Sequence, residues 1–174
     1  AAGGGIESKE DESKIDFFAQ KNGYVIIQNG SFSVDDTLSI ESLNLAQTGS
    51  ILAGIDSGTT LKIGASMDLD AIGDGIIVEV ERLEVVGNVG KAAKIRAKSV
   101  KIEGLTHGSS MIECEEANIR THKGYVKAKQ ITVQNLEGGT IEAENAIVSK
   151  LAGGTVRAKN IKAYEIYSNV NLNA

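Results

Sequence analysis

The chain has 174 residues, 41% of them hydrophobic and 24% charged, enough for a packed core and too apolar for general disorder. A formal net charge of -5 argues against nucleic acid as a general partner, and the single cysteine, Cys114, excludes an internal disulfide or a CxxC metal site. No apolar run approaches the ~20 residues of a membrane helix and no signal peptide opens the chain, so a cytoplasmic protein without membrane insertion is expected.

Residues 1–16 carry Gly3-Gly4-Gly5 and the acidic run Glu10-Asp11-Glu12, and read as a flexible lead-in. In residues 17–37, Tyr24-Val25-Ile26-Ile27 and Ser31-Phe32-Ser33-Val34 flank Gln28-Asn29-Gly30, the signal of a β-hairpin closed by an Asn-Gly turn. This segment also holds Phe17, Phe18 and Phe32, and is the expected N-terminal cap. Residues 38–174 read as a parallel β-helix, regular from 77 onward. Leu38, Ile40, Leu43 and Leu45 are expected to open it, and one or two irregular coils come next over Ile51 to Asp74, including the alternating Ala65, Met67 and Leu69.

The repeat carries this assignment. From Val78 onward, apolar or small residues recur at offsets 0, 2, 5 and 7 of a unit that starts again at Ile95, Ile112, Val126, Ile141 and Val156. Two alternating pairs separated by a gap of three mean two short strands joined by a bend. A further apolar residue at offset 10 (Leu105, Leu136, Leu151, Ile166) and a glycine turn such as Gly138-Gly139 add a third side. A unit of ~15 residues at ~3.3 Å each makes a perimeter near 50 Å, the size of one small triangular coil. Val170 and Leu172 are expected to open a seventh unit, cut off by the C-terminus, which suggests a fragment of a longer protein.

The outward offsets 1 and 3 supply an independent check. They read Glu79 and Glu81, Arg96 and Lys98, Glu113 and Glu115, Lys127 and Lys129, Glu142 and Glu144, then Arg157 and Lys159. The sign reverses at every coil. If coils stack in register ~4.8 Å apart, each carboxylate lies between cations above and below it, and a slipped register would oppose like charges.

Little in this pattern resembles a reaction centre. His107 and His122 fall near one corner of consecutive coils and read as solvent-facing turn residues, and two imidazoles alone do not hold zinc. Cys114 takes a place otherwise filled mostly by alanine and reads as a small, inert core residue. Carboxylates between cations have lowered pKa values, the opposite of what a general acid requires. No catalytic residue, cofactor or metal is expected. Tyr164 and Tyr167, exposed on the last complete coil, are the candidate interaction surface.

The order of pieces resembles the FapA family of bacterial proteins, named for flagellar assembly. The matching residues are Gly23-Tyr24-Val25 before a short hairpin, Leu38-Ser39-Ile40, Gly49-Ser50-Ile51, Val85-Val86-Gly87-Asn88-Val89 and Ile141-Glu142-Ala143-Glu144-Asn145. That family often carries Gly-Gly-Asp or Gly-Asn at its bends, whereas here they read Lys98-Ser99, Lys129-Gln130, Glu144-Asn145 and Lys159-Asn160. The resemblance implies a cytoplasmic, right-handed β-helix without enzymatic activity, acting as a scaffold or regulator on protein partners it does not identify. Bactofilins and the C-terminal domain of the division inhibitor MinC are distantly similar. The alternative expectation is a bactofilin-like structural polymer, self-associating through its β-helix ends.

Overall fold

The structure is a computed structural model that describes residues 4–11, 14–64 and 70–174. The alternation of Ala65, Met67 and Leu69 lies outside the described residues, as do Gly3 and Glu12 of the expected lead-in. The described residues are all-β and contain no helix.

Two antiparallel hairpins come first. β1 (Ile6–Asp11) pairs with β2 (Lys14–Ala19), within the stretch expected as a lead-in. β3 (Tyr24–Gln28) pairs with β4 (Ser31–Asp35), and Gln28 faces Ser31 across the turn. Asn29 and Gly30 form that turn with φ of 50° and 75°, left-handed values that asparagine and glycine tolerate best. The hairpins are tied together: the Val34 N–H donates to the Gly4 carbonyl at 2.9 Å, and the Phe17 and Phe32 rings lie 5.2 Å apart. They are also tied to the chain beyond Asp35, because the Tyr24 hydroxyl is buried beside Thr59 and the Thr60 N–H donates to the Asp36 carbonyl at 2.7 Å.

A parallel β-solenoid occupies the rest. Its first turn contains β5 (Thr37–Ile40) and β6 (Ile51–Leu52), and its second β7 (Thr60–Ile63), β8 (Asp70–Ile72) and β9 (Ile77–Glu79). The third has β10 (Arg82–Val85), β11 (Asn88–Val89) and β12 (Lys94–Arg96), the fourth β13 (Ser99–Leu105) and β14 (Met111–Glu113), and β15 (Glu116–His122) begins the fifth. Beyond this point adjacent sides fuse into single bent strands, β16 (Tyr125–Leu136), β17 (Thr140–Leu151) and β18 (Gly154–Ile166), before β19 (Val170–Asn173). On one side Val78, Ile95, Ile112, Val126, Ile141 and Val156 stack in register, reproducing the unit starts read from the sequence. Each is at most 1% exposed, so the repeat's apolar offsets build one continuous aliphatic core. Truncating a side chain such as Ile112 to alanine would cost ~2–5 kcal/mol, because the flanking turns hold the cavity open.

The turns explain the glycines. Gly139 has φ of 72°, and a Cβ there would run into the carbonyls of Lys123 and Gly124 from the turn beneath. That close approach is used: the Thr140 N–H donates to the Gly124 carbonyl at 2.8 Å, and the Thr155 N–H to the Gly139 carbonyl at 2.9 Å.

Three placements differ from the sequence reading. Leu38 and Ile40 stack on Leu61 and Ile63, and through them on Leu83 and Val85, so they hold offsets 5 and 7 instead of 0 and 2. Leu43 then bridges Ile72 on the third side, while Leu45 is 68% exposed. An apolar alternation has the same spacing on either pair of sides, and only pairing decides which it occupies. Second, one extra residue between Ile102 and Leu105 shifts the register, so Thr106 turns inward in place of Leu105. Third, Leu172 pairs with Val156, and Val170 falls opposite Gly154. The turn before it includes Asn169 in the left-handed conformation, φ 64°, and brings Leu172 to offset 0.

Candidate functional site

The charge ladder is realised in the stacked turns. Arg96 pairs in register with Glu79 on one side and Glu113 on the other, and its guanidinium reaches both carboxylates, at 3.2 and 3.8 Å. Further along, Lys129 meets Glu115 at 3.1 Å, Arg157 meets Glu142 at 3.3 Å and Lys159 meets Glu144 at 3.5 Å. These side chains are exposed, so each pair is worth ~0.2–1 kcal/mol and its larger role is to penalise a slipped stack. Glu142 has one more partner, the Tyr125 hydroxyl, which donates to it at 2.8 Å. That bond, with Arg157 beside it, holds the Glu142 carboxyl below the usual carboxylate range.

Between the two charged columns runs a groove along the rod. Over the last turns it encloses about 640 Å³ and is floored by Cys114, Ala128, Ala143 and Ala158. The walls are Glu113, Lys127, Glu142 and Arg157 on one side, and Lys129, Glu144 and Lys159 on the other. Offset 2 supplies this floor with alanine or cysteine over the last turns, where the first regular unit has the buried Val80. Burial, with Glu113 adding to it, pushes the Cys114 thiol up to about 12, which leaves it protonated and unreactive near neutrality.

Tyr164 and Tyr167 lie on the last turn, 63% and 53% exposed. Their rings carry the ammonium groups of Lys162 and Lys150 at 5.1 and 5.0 Å, and Tyr167 donates to Glu165 at 3.2 Å. Ile166 joins them at 57% exposure, because β19 covers only the Gly154–Arg157 part of β18.

His122 is the residue that sequence reasoning misplaced. It is not a solvent-facing turn residue: it is fully buried in the column Val89, Thr106, His122, Leu136, Leu151 on the third side. Its Nδ1 shares a 2.7 Å hydrogen bond with the Thr106 hydroxyl, whose oxygen also accepts from the Lys123 N–H at 3.2 Å. Its Nε2 is buried without a hydrogen-bond partner among the described residues. Burial pulls the imidazole down to about 4, outweighing the backbone of Thr140 and Gly124, which favours the charged ring. The signal was present in the sequence, since His122 sits at offset 10 of its unit, where Leu136 and Leu151 stand in theirs. His107 does not join it: its ring turns to Ser109, 3.3 Å from the hydroxyl.

Among the described residues no cluster of three or more histidine, cysteine or acidic side chains is placed to hold a metal ion, and no helix is long and apolar enough to cross a membrane. Comparison with family models, with curated proteins and with solved structures finds no match to this chain.

Proposed function

We propose that this chain is a non-enzymatic scaffold or regulatory protein acting in the cytoplasm through protein–protein contacts, with flagellar assembly the process to which the FapA resemblance points. One observation carries the reading. Charged side chains on one face of a regular rod pair into a ladder, while Tyr164, Ile166 and Tyr167 stand exposed together on its last turn. Aromatic side chains with an apolar body and a polar tip are enriched at protein interfaces. A carboxylate held below its usual range, as at Glu142, suits a ladder and not proton donation. The test is a comparison of baits: the full chain and its Tyr164→Ala/Tyr167→Ala variant, each used to capture proteins from the native cytoplasm. A partner held by the wild type and lost by the variant supports the reading; a partner held equally by both removes these tyrosines from the contact.

A second reading is end-to-end stacking into a structural polymer, favoured by Ile166 at 57% and Leu172 at 42% exposure on β18 and β19. Apolar contact of that kind strengthens with excluded salts such as sulfate. Sedimentation at rising concentration separates the two, because a filament former broadens towards large species and a scaffold does not.

A further inference from the structure

We infer that the open stretch of the ladder groove, from Glu113 to Lys159, docks a second copy of this chain in antiparallel orientation. The argument begins with which part of the groove is covered. At its start, the loop after β6 lies over the ladder: Asp56 meets Lys98 at 2.8 Å and the Gly58 N–H donates to Glu81 at 2.7 Å. Beyond that loop the cavity is lined by Glu113, Lys127/Lys129, Glu142/Glu144 and Arg157/Lys159, with Asn173 and Ala174 at its far end, and Glu115 completes the first row through its ion pair with Lys129. Their side chains remain open to solvent despite their pairing within the chain; Lys129 is 63% exposed and Lys159 74%.

The spacing of the rows chooses the occupant. A partner must present charges that alternate in sign every ~4.8 Å, the separation of stacked strands. Side chains on one face of a single extended strand repeat every ~6.6 Å and lose register by more than a full row across four rows, and successive turns of an α-helix, ~5.4 Å apart, drift by about 2 Å over the same span. Another copy of this stack matches at every row.

The alternation of sign chooses the direction. With the signs −, +, −, +, a two-fold axis across the groove sets Glu113/Glu115 against Arg157/Lys159 of the second copy, and Lys127/Lys129 against its Glu142/Glu144. Every row then meets its opposite, and the pair is closed. Parallel copies in register would oppose like charges at every row. Sliding them by one turn restores opposite signs but leaves a row unmatched and an open-ended staircase. This inference does not rest on the scaffold reading, which uses the tyrosines of the last turn.

Sedimentation of the full chain at low and high salt, with two four-fold variants, tests it. The wild type is expected to be a dimer in ~50 mM salt, with a dissociation constant at least about tenfold weaker in 1 M salt, where the Debye length is ~3 Å. The variant K127E/K129E/E142K/E144K has rows −, −, +, +; it still offers opposite signs to an antiparallel copy and is expected to dimerise. The variant E142K/E144K/R157E/K159E has rows −, +, +, −; it opposes like charges throughout and is expected to be monomeric. Within the chain the first variant has two like-signed junctions and the second only one, so folding stability predicts the reverse order. Circular dichroism checks that both fold; if either does not, the salt dependence of the wild type decides. A wild type monomeric at both salts, species beyond the dimer that persist in 1 M salt, or a dimeric second variant overturns the inference.

Discussion

Acid should weaken this fold through one residue. His122 is buried and neutral in the native state, with its imidazole pulled from the ordinary 6.5 down to about 4. A base whose folded pKa is lowered contributes full stability only above its unfolded value, and that contribution is lost as pH falls from about 6.5 towards 4. The gap of about 2.5 pH units, at ~1.36 kcal/mol each, corresponds to roughly 3 kcal/mol, a large share of the ~5–15 kcal/mol of an ordinary domain. Surface carboxylates also titrate in acid, so the measurement is a difference. Urea melts followed by circular dichroism at pH 7.5, 6, 5 and 4 would be run on the wild type and on His122→Leu. Leucine is the residue that Leu136 and Leu151 place in the same column, and Thr106 keeps its bond from the Lys123 N–H, so the variant should fold. At pH 7.5 the two are expected to differ little, since leucine also removes a buried nitrogen lacking a partner. By pH 4 the variant should be the more stable by ~1–3 kcal/mol. Parallel profiles over the whole range would mean that His122 does not titrate from a buried site, and the placement of this column would be wrong.

Three other outcomes rest on named contacts. Reversing Glu142 and Glu144 to lysine opposes Lys127/Lys129 and Arg157/Lys159 at once, so the urea midpoint should fall by an amount that shrinks in 1 M salt. Adding Arg157→Glu and Lys159→Glu should recover part of the loss, because one of the two repulsive junctions becomes attractive again. Gly139→Ala should destabilise by at least ~1–3 kcal/mol in thermal or urea melts, since a left-handed φ of 72° and two close carbonyls both oppose a Cβ. The Cys114 thiol, pushed up to about 12 by burial, should react with a disulfide reagent at pH 8 about 10³-fold more slowly than a free thiol, and at the ordinary rate in 8 M urea.

How much of this was legible in the residues depends on whether neighbours in the stack share a spacing. Where units are regular, from Val78 to Val156, offset and register coincide, so the solenoid, its core columns and the alternation of charge come directly from the one-dimensional pattern. The Asn29-Gly30 hairpin was legible for a local reason, the left-handed φ that its turn demands. Where a unit gains a residue, the pattern is silent about which residue turns in. Thr106 replaced Leu105, Leu172 replaced Val170, and Leu38 entered at offset 5 instead of offset 0, each settled by hydrogen bonding to the neighbouring turn. His122 shows the remaining limit. Histidine suggests solvent by composition, but burial belongs to the column in which a side chain stacks. Only the tertiary structure placed this imidazole between Thr106 and Leu136, where the hydroxyl satisfies one nitrogen and the other is buried without a hydrogen bond. The groove is tertiary for the same reason: its successive rows are residues 14 or 15 positions apart, brought side by side by turns that stack in register.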